Sequence, residues 1–128
     1  GGNYVTAEIT IQELYDQFAY GITLHPLAIR HFAHFIKQNW INPEYLYLIG
    51  KGRVYRDIRN NTFNALIPTF GHPPSDHVLV ASINSDEPVI PIGRLSASTG
   101  DQVSTYLQKI KDVIFNNCLG SYFSHVIN

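Results

Sequence analysis

Two neighbouring stretches decide the fold: Pro26-Leu-Ala-Ile-Arg-His-Phe-Ala-His-Phe-Ile-Lys-Gln-Asn-Trp40 and Tyr45-Leu-Tyr-Leu-Ile-Gly50. In the first, Ile29, Phe32, Ala33, Ile36 and Trp40 recur at helical spacing and make one apolar stripe, with Arg30, His34 and Lys37 on the other side. Pro26 suits a first helical turn, where its missing N–H costs nothing, and Asn42-Pro43 stops the helix. The second stretch is short, almost wholly apolar and closed by glycine, which reads as a buried strand of a parallel sheet.

The remaining segments extend this alternation. Tyr4 to Ile9 alternates, with Val5, Ala7 and Ile9 on one side, and reads as a strand. Thr10-Ile-Gln-Glu13 is a capping box opening a helix to about Phe18, and Gly21 and Pro26 bracket a turn. Lys51 to Asn64 is polar and reads as a long exposed loop; Leu66-Ile67-Pro68 is an apolar island before a turn at Gly71 to Pro74. Val78 to Ile83 and Val89 to Ile92 are strand candidates, although Pro91 disfavours an interior ladder position. Thr99-Gly-Asp-Gln102 opens a last helix with Val103, Tyr106, Leu107, Ile110, Val113 and Ile114 on one face, ending near Asn116-Asn117 and Gly120. That face is expected to be buried. Strands alternating with amphipathic helices predict an α/β fold, a mostly parallel sheet flanked by helices, with functional loops at the strand carboxyl ends, here Gly50 and Gly93-Arg94.

The chain has 128 residues, 45% hydrophobic and 15% charged, with a net charge of −1. These values fit one globular domain spanning 1–128. Scattered Lys and Arg argue against a nucleic-acid partner, and no apolar run of about 20 residues predicts a membrane span. An opening at Gly1-Gly2-Asn3 rather than Met suggests a piece of a longer protein.

Candidate chemistry is sparse. Cys118, the single cysteine, is expected near a helix carboxyl end, whose partial negative charge disfavours a thiolate. His31 and His34 share a helical spacing but lack further zinc ligands. His72 lies in a Pro-rich turn. Asp76, Asp86 and Glu87 are weak grounds for calcium. Gly50 and Gly52 make no phosphate-binding motif. Arg94 follows an apolar strand; its expected role is a strand-end ion pair, with Asp76 as candidate partner, and the alternative is bracing a substrate loop. No catalytic, cofactor-binding or metal residue is assigned, and no cofactor is implied.

Four segments in order carry a resemblance. They are Tyr15-Asp-Gln-Phe-Ala-Tyr-Gly21 with Pro26-Leu-Ala-Ile-Arg-His-Phe32; Tyr45-Leu-Tyr-Leu-Ile-Gly50; Ser75-Asp76; and Ile92-Gly-Arg-Leu95 followed by Lys109-Ile110. Together, from about Val5 to Val113, they resemble the gingipain-type cysteine peptidases, closest in pattern to the sortases of type IX secretion. The resemblance implies a three-layer, caspase-like or flavodoxin-like subdomain, the first of two and incomplete. The family's His-Cys dyad belongs to the second, and neither His72 nor Cys118 matches it, so the chain is expected to be inactive alone. The implied partner is that catalytic subdomain, with a homodimer as a further expectation. The implied location is the periplasm, the outer-membrane surface or the secreted fraction. Lys51 stands where the family has Asp. The alternative reading is a free-standing, non-enzymatic α/β interaction module on a degenerate peptidase scaffold.

Overall fold

The computed structural model describes residues 4–53, 66–71, 73–82 and 84–126, the last ten of these as helical backbone. The elements are α1 (Ile11–Phe18), α2 (Leu27–Asn39), β1 (Leu46–Ile49), a 3-10 turn (His77–Val80), β2 (Ile92–Leu95) and α3 (Gly100–Val126). The chain divides into two compact units, Gly1–Ser96 and Ala97–Asn128.

In the first unit, α1 begins as its sequence dictates. The Thr10 hydroxyl accepts from the Glu13 N–H, and Glu13 Oε2 accepts from the Thr10 N–H at 2.8 Å. Two N–H groups that the helix start would leave unpaired are thereby satisfied. The α2 stripe buries Ala28, Ile29, Phe32, Ala33 and Ile36, whereas Trp40, at its C-cap, stays 41% exposed. Leu14, Tyr15 and Ala19 from α1 and its exit, Leu48 from β1, Ile67, Leu79, Val80 and Ile90 complete the core.

β1 and β2 pair in parallel, with Leu46 opposite Ile92 and Ile49 opposite Leu95. Backbone bonds from Leu46 N to Pro91 O and from Gly50 N to Leu95 O, both 2.9 Å, bracket the ladder. The fold is therefore α/β. β1 is not buried on both faces as its apolar run suggests: Leu48 is inside, but Tyr47 and Ile49 are 51% and 55% exposed.

The other strand expectations need correction. Tyr4 to Ile9 joins no strand, and Val5 is fully exposed; alternation there has no core to face. Val78 to Val80 forms the 3-10 turn, which buries Leu79 and Val80 against α2. An apolar run this short does not distinguish a strand from a helical turn. The second sheet strand is Ile92–Leu95 rather than Val89 to Ile92. Pro91, which has no N–H to give to a ladder, stands just before it and contributes only its carbonyl.

The second unit is built around α3. Its start matches expectation in part: the Thr99 hydroxyl accepts from Gln102 N, but Gln102 Oε1 accepts from Ser98 N at 2.7 Å, one residue before the Thr99 N–H that a capping box would use. It does not end near Asn116-Asn117 and Gly120 but continues to Val126. Weak helix formers cost at most about 1 kcal/mol each, and no proline interrupts the run. The stripe expected to be buried is exposed: Ile110 is 37%, Val113 59% and Ile114 58% accessible, and none belongs to the core. Among the described residues no helix is long and apolar enough to cross a membrane.

Tyr15 supplies a pH test of the core. Its side chain is 3% exposed, and its hydroxyl makes no hydrogen bond of good geometry, with the Leu24 backbone as a polar neighbour. Burial pushes its pKa up to about 12, a rise the Leu24 backbone partly opposes. The folded state thus holds the neutral phenol more firmly than the unfolded chain does. This contribution is complete below pH 10 and fades as pH rises through about 12. At about 1.4 kcal/mol per unit it amounts to roughly 3 kcal/mol at most. Tyr15→Phe is expected to change stability by no more than about 1 kcal/mol at pH 7. Urea melts at pH 9 to 12 should show a smaller alkaline loss in that variant than in wild type; parallel losses would place the phenol in water.

Candidate functional site: an arginine clamp at the carboxyl end of the sheet

The carboxyl ends of β1 and β2 are where a parallel sheet offers its loops for function. Arg94, third residue of β2, lies there with its side chain 10% exposed. Its Nε donates to Asp76 Oδ2 and its Nη2 to Asp76 Oδ1, both at 2.7 Å, a bidentate ion pair. Nη1 donates to the carbonyls of Gly50 at 2.9 Å and Ile67 at 3.4 Å, and Nη2 to that of Pro68 at 3.1 Å. The five guanidinium N–H groups thus have five acceptors. Only the planar fork of arginine can serve a carboxylate and three carbonyls from one point.

The backbone around this cation is arranged to fit it. Lys51 O accepts from the N–H groups of both Leu66 and Ile67, and Ser75 N donates to Phe70 O at 2.8 Å. The Thr69 hydroxyl donates to Arg53 O. Gly50 has φ +156°, and a Cβ there would stand 2.9 Å from Ile67 Cδ1; at Gly52 a Cβ would stand 2.6 Å from Thr69 Cγ2. Both glycines therefore permit close approach of the 50–53 backbone to the 66–69 segment. Neither serves a phosphate motif. Lys51 contributes its carbonyl to this junction, while the residue itself is exposed.

The Asp76 ion pair expected for Arg94 is present, and its remaining donors go to the loop carbonyls of Gly50, Ile67 and Pro68. With its donors engaged, Arg94 acts as a brace and not as an anion-binding group. Asp76 is correspondingly committed to Arg94. Among the described residues no group of three or more His, Cys, Asp or Glu side chains could hold a metal ion.

The histidines are also engaged separately. His31 Nδ1 lies 3.0 Å from Phe18 O, and His34 Nε2 lies 3.1 Å from Ala81 O. Each ring thus donates to a different carbonyl, and the two do not form a ligand pair. They are not simply a solvated pair either, because His34 joins Arg30, whose Nε reaches the same Ala81 carbonyl at 3.1 Å and whose Nη2 reaches Ser82 O. These contacts fix the exit of the 3-10 turn against α2. His77 Nε2 lies 2.9 Å from Asp86 O. His72 lies outside the described residues, as does the side chain of Cys118. The Cys118 backbone is inside α3 rather than at its end, so the helix-end argument against a thiolate does not apply. The carbonyls that Arg94 gathers were not legible in the sequence, since a backbone acceptor has no residue signature.

The clamp makes a graded prediction. Asp76→Asn removes the charge pair and should cost about 2 kcal/mol, the scale of a charge-assisted hydrogen bond that is partly solvent-screened. Arg94→Lys keeps the charge but loses the fork and its carbonyl bonds, and should cost more than Asp76→Asn. Urea unfolding of the three proteins at pH 7 checks this. Equal stability of wild type and Arg94→Lys would show that charge alone, without the fork, holds the sheet end.

Comparison with family models matches the chain to Peptidase family C25 over residues 3–118. Comparison with curated proteins and with solved structures gives no significant match. The matched span contains both helices of the core, the parallel strand pair and the arginine clamp. The chain therefore belongs to peptidase family C25, the gingipain family of cysteine peptidases.

Proposed function

We propose that this chain is a non-catalytic subdomain of a gingipain-like cysteine endopeptidase linked to type IX secretion, and that it shapes the substrate cleft by packing against a catalytic subdomain. The observation that carries this reading is the clamp. At the sheet end where an α/β enzyme presents its chemistry, the cation is spent on Asp76 and on three carbonyls. This supports a braced scaffold rather than a reactive centre. In this reading thiolate attack and proton transfer by histidine occur on the second subdomain.

Exposed apolar surface gives the second subdomain something to cover. Tyr45, just before β1, and Ile49, its last residue, are each more than half exposed. Apolar side chains exposed in that position favour burial at about 25 cal/mol per Å2. The same surface would close a homodimer in place of a subdomain contact. The three-layer, caspase-like arrangement belongs to this proposal. So does a periplasmic, outer-membrane-surface or secreted location, which rests on the resemblance of Tyr15 to Gly21 and Pro26 to Phe32 to the secretion sortases. Lys51, in place of the family's acid, gives the free-standing interaction module its support, because it reverses a charge beside the clamp.

The chain by itself should release no product from mixed peptide substrates under reducing conditions, and Cys118→Ala should behave identically. Thiol-dependent cleavage that disappears in Cys118→Ala would overturn the non-catalytic reading and make Cys118 the nucleophile.

A further inference from the structure

The carboxyl end of the sheet carries two cations that the arginine clamp does not use. Lys51, Gly52 and Arg53 follow β1 and Gly50 in the chain. The carbonyls of Lys51 and Arg53 both face the 66–69 segment: the first accepts from Leu66 N at 3.0 Å and from Ile67 N at 3.3 Å, the second from the Thr69 hydroxyl. Carbonyls two residues apart that point to one side mark extended backbone, in which side chains at i and i+2 share a face and the residue between them takes the other. The middle residue faces the clamp, because a Cβ on Gly52 would stand 2.6 Å from Thr69 Cγ2 and 3.1 Å from Arg94 Nη1. Lys51 and Arg53 therefore project from the opposite face, with origins about 7 Å apart.

Their charges are not neutralised. Among the described residues neither the Lys51 ammonium nor the Arg53 guanidinium meets a carboxylate, and the acid of this sheet end, Asp76, is engaged at both oxygens by Arg94. Lys51 is exposed and Arg53 half-buried. A half-buried cation has lost part of its water and gains more from a counter-charge than a fully solvated one. Apolar surface adjoins the pair. Ile49, at the end of β1, and Leu66, whose N–H bonds Lys51 O, are each about half exposed. A small inorganic anion would meet the charges and leave these side chains in water. A long polyphosphate backbone needs a broader basic face than two cations provide.

We propose that Lys51 and Arg53 dock an acidic, extended segment of a partner polypeptide whose carboxylates stand two residues apart and whose next side chains on the same face are apolar. In such a segment the acids recur at the same spacing of about 7 Å, so both charges are met without bending either chain. Arg53 offers a planar fork for a bidentate pair, and Lys51 a point charge on a flexible stem. The apolar side chains of the partner cover Ile49 and Leu66. The docking face is the outer side of a segment whose inner side the clamp holds, so its shape is fixed before the partner arrives. It requires neither the cleft-shaping role nor the secretion link proposed above.

The probe is an acetylated, amidated heptapeptide in which two glutamates, separated by a serine, are flanked on the same face by valines. It is titrated into the isotope-labelled full chain while the amide resonances of Lys51, Gly52, Arg53 and Leu66 are followed. The glutamate peptide should shift them with a dissociation constant on the order of 1 mM. The same peptide with glutamine for glutamate should bind about tenfold more weakly, the combined scale of two exposed ion pairs. Raising the salt from about 0.05 M to about 0.5 M should weaken the first and barely alter the second. The double variant K51Q/R53Q should lose the preference for glutamate, and it should fold because both residues enter the clamp junction through their carbonyls. If it fails to fold, Lys51→Gln alone, at an exposed position, should reduce the preference. Equal affinity for the two peptides, shifts confined to other residues, or a preference retained in K51Q/R53Q would each overturn the proposal. Tighter binding of inorganic phosphate or of a single-stranded oligonucleotide at the same amides would overturn it too, since the site would then belong to a phosphate.

Discussion

One guanidinium holds the carboxyl end of the sheet together. A parallel pair of four-residue strands is a weak object by itself, because two strands alone do not bury enough surface to persist in water. Here the strands are extended sideways by a cation. Arg94 projects from β2 and ties β1 through Gly50, the 66–69 segment through Ile67 and Pro68, and the turn before the 3-10 helix through Asp76. Four pieces of chain distant in sequence are thus fixed by one side chain. The burial of the charge is tolerable because each N–H has an acceptor and the carboxylate supplies a counter-charge; with either lacking, the desolvation penalty would dominate.

This constraint bears on function within peptidase family C25. A sheet end that holds its loops rigidly can present a surface of fixed shape. The α1–α2 pair is stabilised differently, by apolar burial around Ile29 and Phe32.

Local rules made the helices legible and left the strands less so. The Thr10–Glu13 box and the stripe from Ile29 to Ile36 depend on interactions within a few residues, and each formed as read; at Thr99 the hydroxyl cap formed and the reciprocal bond moved to Ser98 N. The parallel partner of β1 was readable as a strand near Val89 to Ile92, but its register was three residues out, because ladder position is set by the facing strand. Val78 to Val80 went into a turn because Arg30 and His34 capture the carbonyls just beyond it, a contact between residues some fifty positions apart. The stripe on α3 was a correct reading of periodicity and a wrong reading of burial, since periodicity identifies an apolar face and not what covers it. Arg94 and Asp76 were legible as a candidate pair; the three carbonyls were not.

Native-state hydrogen exchange at individual amides tests the clamp most directly. In Arg94→Lys the amides of Gly50, Leu66, Ile67 and Ser75 should lose protection by about tenfold or more, while Ala33 and Ile36 in α2 keep most of theirs. Unchanged protection at Leu66 and Ile67 would contradict the account, because the loops would then be held by something other than the guanidinium. An equal fall in α2 would contradict it too, since Arg94 would then support the whole unit rather than the end of the sheet.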